Sequence, residues 1–229
     1  MIKTEKNILT IAPLLAGNFI ELDDSIFDIN KYSEFLKQNK NRLGDFNKYL
    51  ICKLHDSWII DVLQQNDKLV ITLNDFSTHV FADAIIDRFK LQIDSNNISF
   101  PVRIEFIDNL SIDYYNVNNN GKLDRIEPVE LNEYLFEQIT DITDDKIDIA
   151  FHFWRSNLKE DKPGESIIVV VSSKYIKVTE NQEKAWKEII GDVYNDFYSY
   201  FKEQYISDRY VSDFHECIKL IEEFEQRLK

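Results

Sequence analysis

The chain has 229 residues, 44% of them hydrophobic and 13% aromatic, and its 41 acidic against 27 basic side chains give a formal charge of -14. With 16 Phe, 11 Tyr and 3 Trp it is a folding chain, which excludes intrinsic disorder. The five glycines (Gly17, Gly44, Gly121, Gly164, Gly191) stand too far apart for a P-loop or a dinucleotide fingerprint, and Cys52 and Cys217 form no disulfide framework or zinc motif, so no cofactor is expected and a reducing, cytoplasmic setting fits.

At the N-terminus Lys3 and Lys6 precede an apolar run from Ile8 to Ala16, the outline of a secretion signal. Asn7, Thr10 and Pro13 interrupt that run, and Asn18 stands where a lipoprotein box needs cysteine, so an uncut segment built into the fold is expected. No stretch approaches the roughly 18 apolar residues of a membrane span. A helix follows from about Ile29 to Leu43, with Tyr32, Phe35, Leu36 and Leu43 on one face and Gly44 as its stop. Its polar face opens a basic segment, Lys31 to Lys53, that carries +4 and leaves -18 for the rest of the chain.

From about Tyr49 to Val178 the hydrophobic period changes to two. Trp58, Ile60 and Val62 alternate, turn residues occupy Gln64 to Asp67, and Leu69, Ile71 and Leu73 alternate in return, which predicts a hairpin. Val102, Ile104 and Phe106, then Asp108-Asn109, then Leu110, Ile112 and Tyr114 predict a second one. Ile147, Ile149, Phe151 and Phe153 alternate most cleanly, placing His152 on the opposite and more polar face, and Ile167 to Val171 with Tyr175 to Val178 complete the series. Ser77 to Phe89 and Leu131 to Ile142 fit a helix or a strand about equally.

Thr179 and Gln182 have capping-box spacing ahead of a helix through Trp186, Ile189, Ile190, Val193, Tyr194 and Phe197. A break near Ser207-Asp208 leads to a second helix through Val211, Phe214, Ile218 and Phe224. The expectation is a single α+β domain over residues 1–229: a mainly antiparallel sheet, one N-terminal helix, and a C-terminal helical hairpin packed on the sheet or forming a homodimer seam.

Several short patterns point to chemistry. From Asn116 to Glu127, oxygen-bearing Asn116, Asn118, Asn120 and Asp124 fall at positions 1, 3, 5 and 9 of an EF-hand loop, with Gly121 at 6 and Glu127 at 12. Asn116 replaces the usual aspartate and Lys122 and Arg125 offset the acids, so a weak calcium module stands beside a plain Asn-Asn-Gly turn. His55-Asp56 is the dipeptide that metal phosphohydrolases use as adjacent ligands, and with Asp75 it could converge on the site of a small hydrolase. His215-Glu216 lacks a second histidine at Lys219, Ser156 to Lys159 lacks a partner element for a lysine-activated serine, and Glu160-Asp161-Lys162 sits beside Pro163 and Gly164 in a loop. Asp141, Asp144, Asp145 and Asp148, opposed by Lys146, form the densest acidic run.

The stretch from His55 to Leu73 resembles hairpins of small bacterial domains, some of them immunity proteins that neutralise toxins; the likeness is short and carries no functional residue. An acidic body repels a polyanion and attracts a cation, so nucleic acid is not expected and a basic protein is the favoured partner. The expected function is non-enzymatic protein binding, of immunity or inhibitor type, through Asp141, Asp144, Asp145 and Asp148.

Overall fold

The structure, a computed structural model, describes residues 29–50, 54–117, 123–157 and 162–191, together with residues 219, 222, 223 and 226. The chain enters through helix α1 (Ile29–Gln38), the short helix α2 (Lys40–Leu43) and a 3-10 turn at Gly44–Tyr49. Leu36, Leu43, Phe46 and Tyr49 are buried, and Gly44, at φ 56°, takes the left-handed conformation that ends the helical run where the sequence places its stop.

Among the described residues nine strands make one sheet: β1 (Ser57–Gln65), β2 (Lys68–Asn74), β3 (Pro101–Ile107), β4 (Ser111–Val117), β5 (Leu123–Ile126), β6 (Glu133–Ile142), β7 (Ile147–Asn157), β8 (Lys162–Ser173) and β9 (Tyr175–Glu180). Their order is β5-β4-β8-β7-β6-β1-β2-β3-β9, and every adjacent pair is antiparallel. The α+β class with a mainly antiparallel sheet therefore holds. The predicted β1–β2 hairpin also forms, with Asn66 at φ 47° in its turn.

The second predicted hairpin does not form. β3 pairs with β2 and β9, and β4 pairs with β8 and β5, so Asp108 and Asn109, at φ 62° and 53°, turn a corner instead of reversing the chain. β8 turns a matching corner at Lys174 into β9, and the two bent strands stay together there: Lys174 N–H donates to the Asp108 carbonyl (2.8 Å) and Asp108 N–H to the Asp67 carbonyl (3.0 Å). Because β3 runs on into β4 and β8 into β9, the sheet folds over on itself, with β5 and β9 at the ends of its hydrogen-bonded order. The inward faces meet: Phe106 of β3 lies edge-on against Phe151 of β7, 5.7 Å between ring centres, although those strands are not neighbours. Leu69, Ile71, Leu73, Val102, Ile104, Ile147, Ile149, Phe153, Ile167 and Val171 share that interior.

Leu131 to Ile142, ambiguous by period, is mostly strand β6, and two bulges explain the ambiguity. The register skips between Tyr134 and Phe136 and again between Ile139 and Asp141, so the inward residues are Tyr134, Glu137, Ile139 and Ile142, spaced by 3, 2 and 3. That spacing imitates a helix. Tyr32 of α1 covers the second irregularity, its hydroxyl accepting from Ile139 N–H at 2.8 Å.

Residues 76–89, the other ambiguous stretch, form helix α3 (Phe76–Phe89), which packs with helix α4 (Glu183–Ile190) in a second core of Phe81, Ala82, Ile85, Ile98, Phe100, Trp186 and Ile189. Thr179 does not cap α4, because it lies in β9 opposite Arg103. The start of α4 instead rests on Gln182, which is buried and bonds the Asp75 carboxylate. The predicted break at Ser207-Asp208 and most of the C-terminal helical hairpin lie outside the described residues, as does the segment before Ile29. His152 points away from Phe151 and Phe153 as its alternation requires, yet its face is not polar: it is buried with Phe136, Ala150 and Ile168. No helix among the described residues is long and apolar enough to cross a membrane.

Candidate functional site

A third bulge lies at Ile60 in β1, beside an exposed apolar surface. The register with β2 runs Trp58↔Asn74 and Ile59↔Leu73, then skips to Asp61↔Thr72 and Val62↔Ile71, so Ile59 and Val62 face the interior. Strict alternation would have put Trp58, Ile60 and Val62 on one face. Instead Trp58 is 68% exposed and Ile60 50%, an uncommon cost for an indole unless something covers it.

Two elements fix what surrounds Trp58. On one side Asn74 ends β2 and Asp75 caps α3: the Asp75 carboxylate accepts from Thr78 N–H (3.2 Å) and Thr78 Oγ1 (2.7 Å), and Phe76 N–H donates to the buried Ser57 hydroxyl (3.2 Å). The first turn of α3 is thereby tied to the first residue of β1. Between them opens a cleft of about 320 Å³ lined by Trp58, Asn74, Phe76, His79, Asp83 and Asn96. His79 stands edge-on to Phe100, with ring centres 5.3 Å apart. Asp83, one turn further along α3, is exposed; its carboxylate takes the Ser95 hydroxyl and meets no basic side chain among the described residues.

On the other side of Trp58 is Glu133, its register partner in β6. Burial pushes the Glu133 carboxyl above the usual carboxylate range, and the nearby Asp56 charge pushes it further, against a smaller opposing effect of His55. His55 Nδ1 is 2.7 Å from Asp56 Oδ1, and the imidazole lies edge-on to Phe136 with ring centres 4.5 Å apart. Trp58 thus sits among three carboxylates, Asp56, Glu133 and Asp83, with a single imidazole against Asp56. Such a surface suits a cation that also has an apolar stem.

The other candidate residues fall elsewhere. Asp75 is 1% exposed, its carboxyl raised by burial and held by Thr78, Ser77 and Gln182, so it caps a helix and does not join His55 and Asp56. Asn116 and Asp124 face each other across the β4–β5 ladder, Glu127 follows β5 and is exposed, and Asn118 and Asn120 lie outside the described residues. Strands, not helices, flank that loop. No group of three or more His, Cys, Asp and Glu side chains able to hold a metal occurs among the described residues.

In the acidic run, Asp141 and Asp148 pair across the start of the β6–β7 hairpin. Asp148 is buried, bonded to Ser172 Oγ (2.5 Å) and Lys146, so it is not a surface charge. Asp141 shares Lys146 at 3.5 Å, and Asp144 and Asp145 remain exposed at the turn. Burial lowers the Lys146 ammonium pKa, but Asp148 and Asp141 outweigh it and leave it raised.

No family model matches the chain, and comparison with curated proteins and with solved structures finds no match. The residues that sequence reasoning missed are Trp58, Phe76, Asp83 and Glu133. The one signal is at Trp58-Ile59-Ile60, three consecutive apolar residues where strict alternation can bury at most two.

Proposed function

We propose that this protein binds a basic segment of another protein on the outer face of β1 and in the adjoining cleft, without carrying out chemistry on it. The observation that carries the proposal is Trp58, exposed between Glu133 and the cleft that Asp83 lines. A lysine or arginine there would lay its stem and charge on the indole and its head on a carboxylate, and the charge of -14 would speed encounter. Asp83, Glu133 and Asp56 take over the role first expected of Asp141, Asp144, Asp145 and Asp148. An immunity- or inhibitor-like task, in which an acidic protein covers a basic one, is the biological form we propose for it.

The test is calorimetric titration with an octapeptide of alternating Val and Lys, and with its Val-Glu counterpart. Binding of the Val-Lys peptide alone, weakened by salt and by Asp83→Asn, is expected. Equal binding of both peptides would reject it.

A further inference from the structure

β1 has a second property that the cleft does not require. Its pairing with β6 covers only Ser57 and Trp58, and the last bond on that side is Ile59 N–H to the Asn132 carbonyl (2.9 Å). The bulge at Ile60 comes next, and from there to Gln65 no strand among the described residues occupies that edge, although β2 pairs with the opposite edge throughout. Ile60, Asp61, Leu63, Gln64 and Gln65 are all exposed.

Sheet edges are normally protected by shortness, by lysine or proline, or by a covering element. The other two edge strands follow that rule. β5 is four residues long and carries Arg125; β9 carries Lys177, and the turn at Gly44–Tyr49 packs beside it, Tyr49 bonding Glu180. β1, with the sequence Ser-Trp-Ile-Ile-Asp-Val-Leu-Gln-Gln, has no such protection among the described residues, and its one charge is Asp61. A second copy of the chain is a poor occupant, since antiparallel pairing of Ile60–Gln65 with itself sets Asp61 opposite Gln64 and supplies no cation. The coil that leads to Asn132 adds exposed Glu130 beside Glu133.

We propose that the partner's basic segment binds as an added β-strand on the free edge of β1 from Ile60 to Gln65, with alternate lysine or arginine side chains reaching Asp61, Glu130 and Glu133. The inference rests on the proposed function and names how the segment is held: backbone amides give affinity, and the carboxylates select its charge.

The experiment uses the full chain and the alternating Val-Lys octapeptide, in plain form and N-methylated at alternate residues so that one backbone edge cannot donate. Exchange of those Ile60–Gln65 amides that do not bond β2 should slow by about tenfold or more on saturation, and N-methylation should weaken binding about tenfold. The exposed substitution Asp61→Lys should reverse the preference towards the Val-Glu peptide. Peptide binding with unprotected amides and no effect of N-methylation overturns strand addition while leaving side-chain capture in the cleft intact. Absence of binding overturns both. Protection of the same amides in the protein alone, rising with its concentration, overturns the proposal in favour of self-pairing.

Discussion

The guanidinium of Arg42 lies 3.2 Å from the main-chain carbonyl oxygen of Asp144, 102 residues further along the chain. It also donates to the Thr143 carbonyl and lies over the Tyr175 ring, 5.9 Å from its centre. The basic segment and the densest acidic run are therefore neighbours, joined through main-chain carbonyls as the N-terminal helices fold onto the β6–β7 hairpin. Arg42→Ala should cost about 1 kcal/mol, and Arg42→Lys should recover only part of it, because an ammonium lacks the planar fork that reaches both carbonyls while lying over the ring. Urea unfolding midpoints measure both.

The Trp154 indole of β7 lies over Gly164 of β8, two residues from its register partner Ser166, and a Cβ on Gly164 would overlap the ring. Gly164→Ala should destabilise by about 1–2 kcal/mol through overpacking. Trp154→Ala in the same chain should remove most of that penalty, which a double-mutant cycle would read as a coupling of similar size.

Phe151 is fully buried where β3, β6 and β7 meet, touching Phe106, Tyr134 and Phe153 inside the folded sheet. Phe151→Ala should cost about 3–5 kcal/mol. A loss under about 1 kcal/mol in the denaturation midpoint would mean that the faces do not meet there.

Glu105 accepts from Lys68 at 2.7 Å and from Arg103 at 2.8 Å, and Lys177 stands opposite it in β9. The Lys68 hydrogen bond, with the charges of Lys68, Arg103 and Lys177, outweighs burial and holds its carboxyl below the ordinary 4.5. Its contribution is therefore complete above 4.5 and is lost as pH falls through the lower folded value. Asp75, raised by burial, acts in the opposite sense: its contribution is present below its ordinary 3.8 and is lost as pH rises through the folded value. Melting temperatures across acid pH should fall less steeply for Glu105→Gln than for the parent. Asp75→Asn, which keeps a capping side chain, should lose less stability than the parent as pH rises.

The sequence is legible where one rule acts alone. β7 reads directly, because Ile147, Ile149, Phe151 and Phe153 keep strict alternation and all reach the interior; the N-terminal helical run reads through Leu36, Leu43 and the stop at Gly44, but not its break at Asn39 into α1 and α2. It misleads where a bulge changes the period, as at Ile60 in β1 and twice in β6. It misleads also at Asp108-Asn109, whose positive φ values serve a corner as well as a hairpin, a choice set by which strands lie alongside. The candidate site shares the first failing. Trp58 looks like core until the bulge turns it outward, and Asp83 and Glu133 meet it only once α3 and β6 have packed on either side of β1.

The most direct measurement is the affinity of the alternating Val-Lys octapeptide for the parent and for Trp58→Ala, read by calorimetry at low and moderate salt. Because Trp58 is exposed, the substitution should leave the unfolding midpoint unchanged while affinity falls by about tenfold, the size of one indole–cation contact with its share of apolar burial. Equal affinity for the two proteins, or binding indifferent to salt, would contradict a cation-binding surface at Trp58.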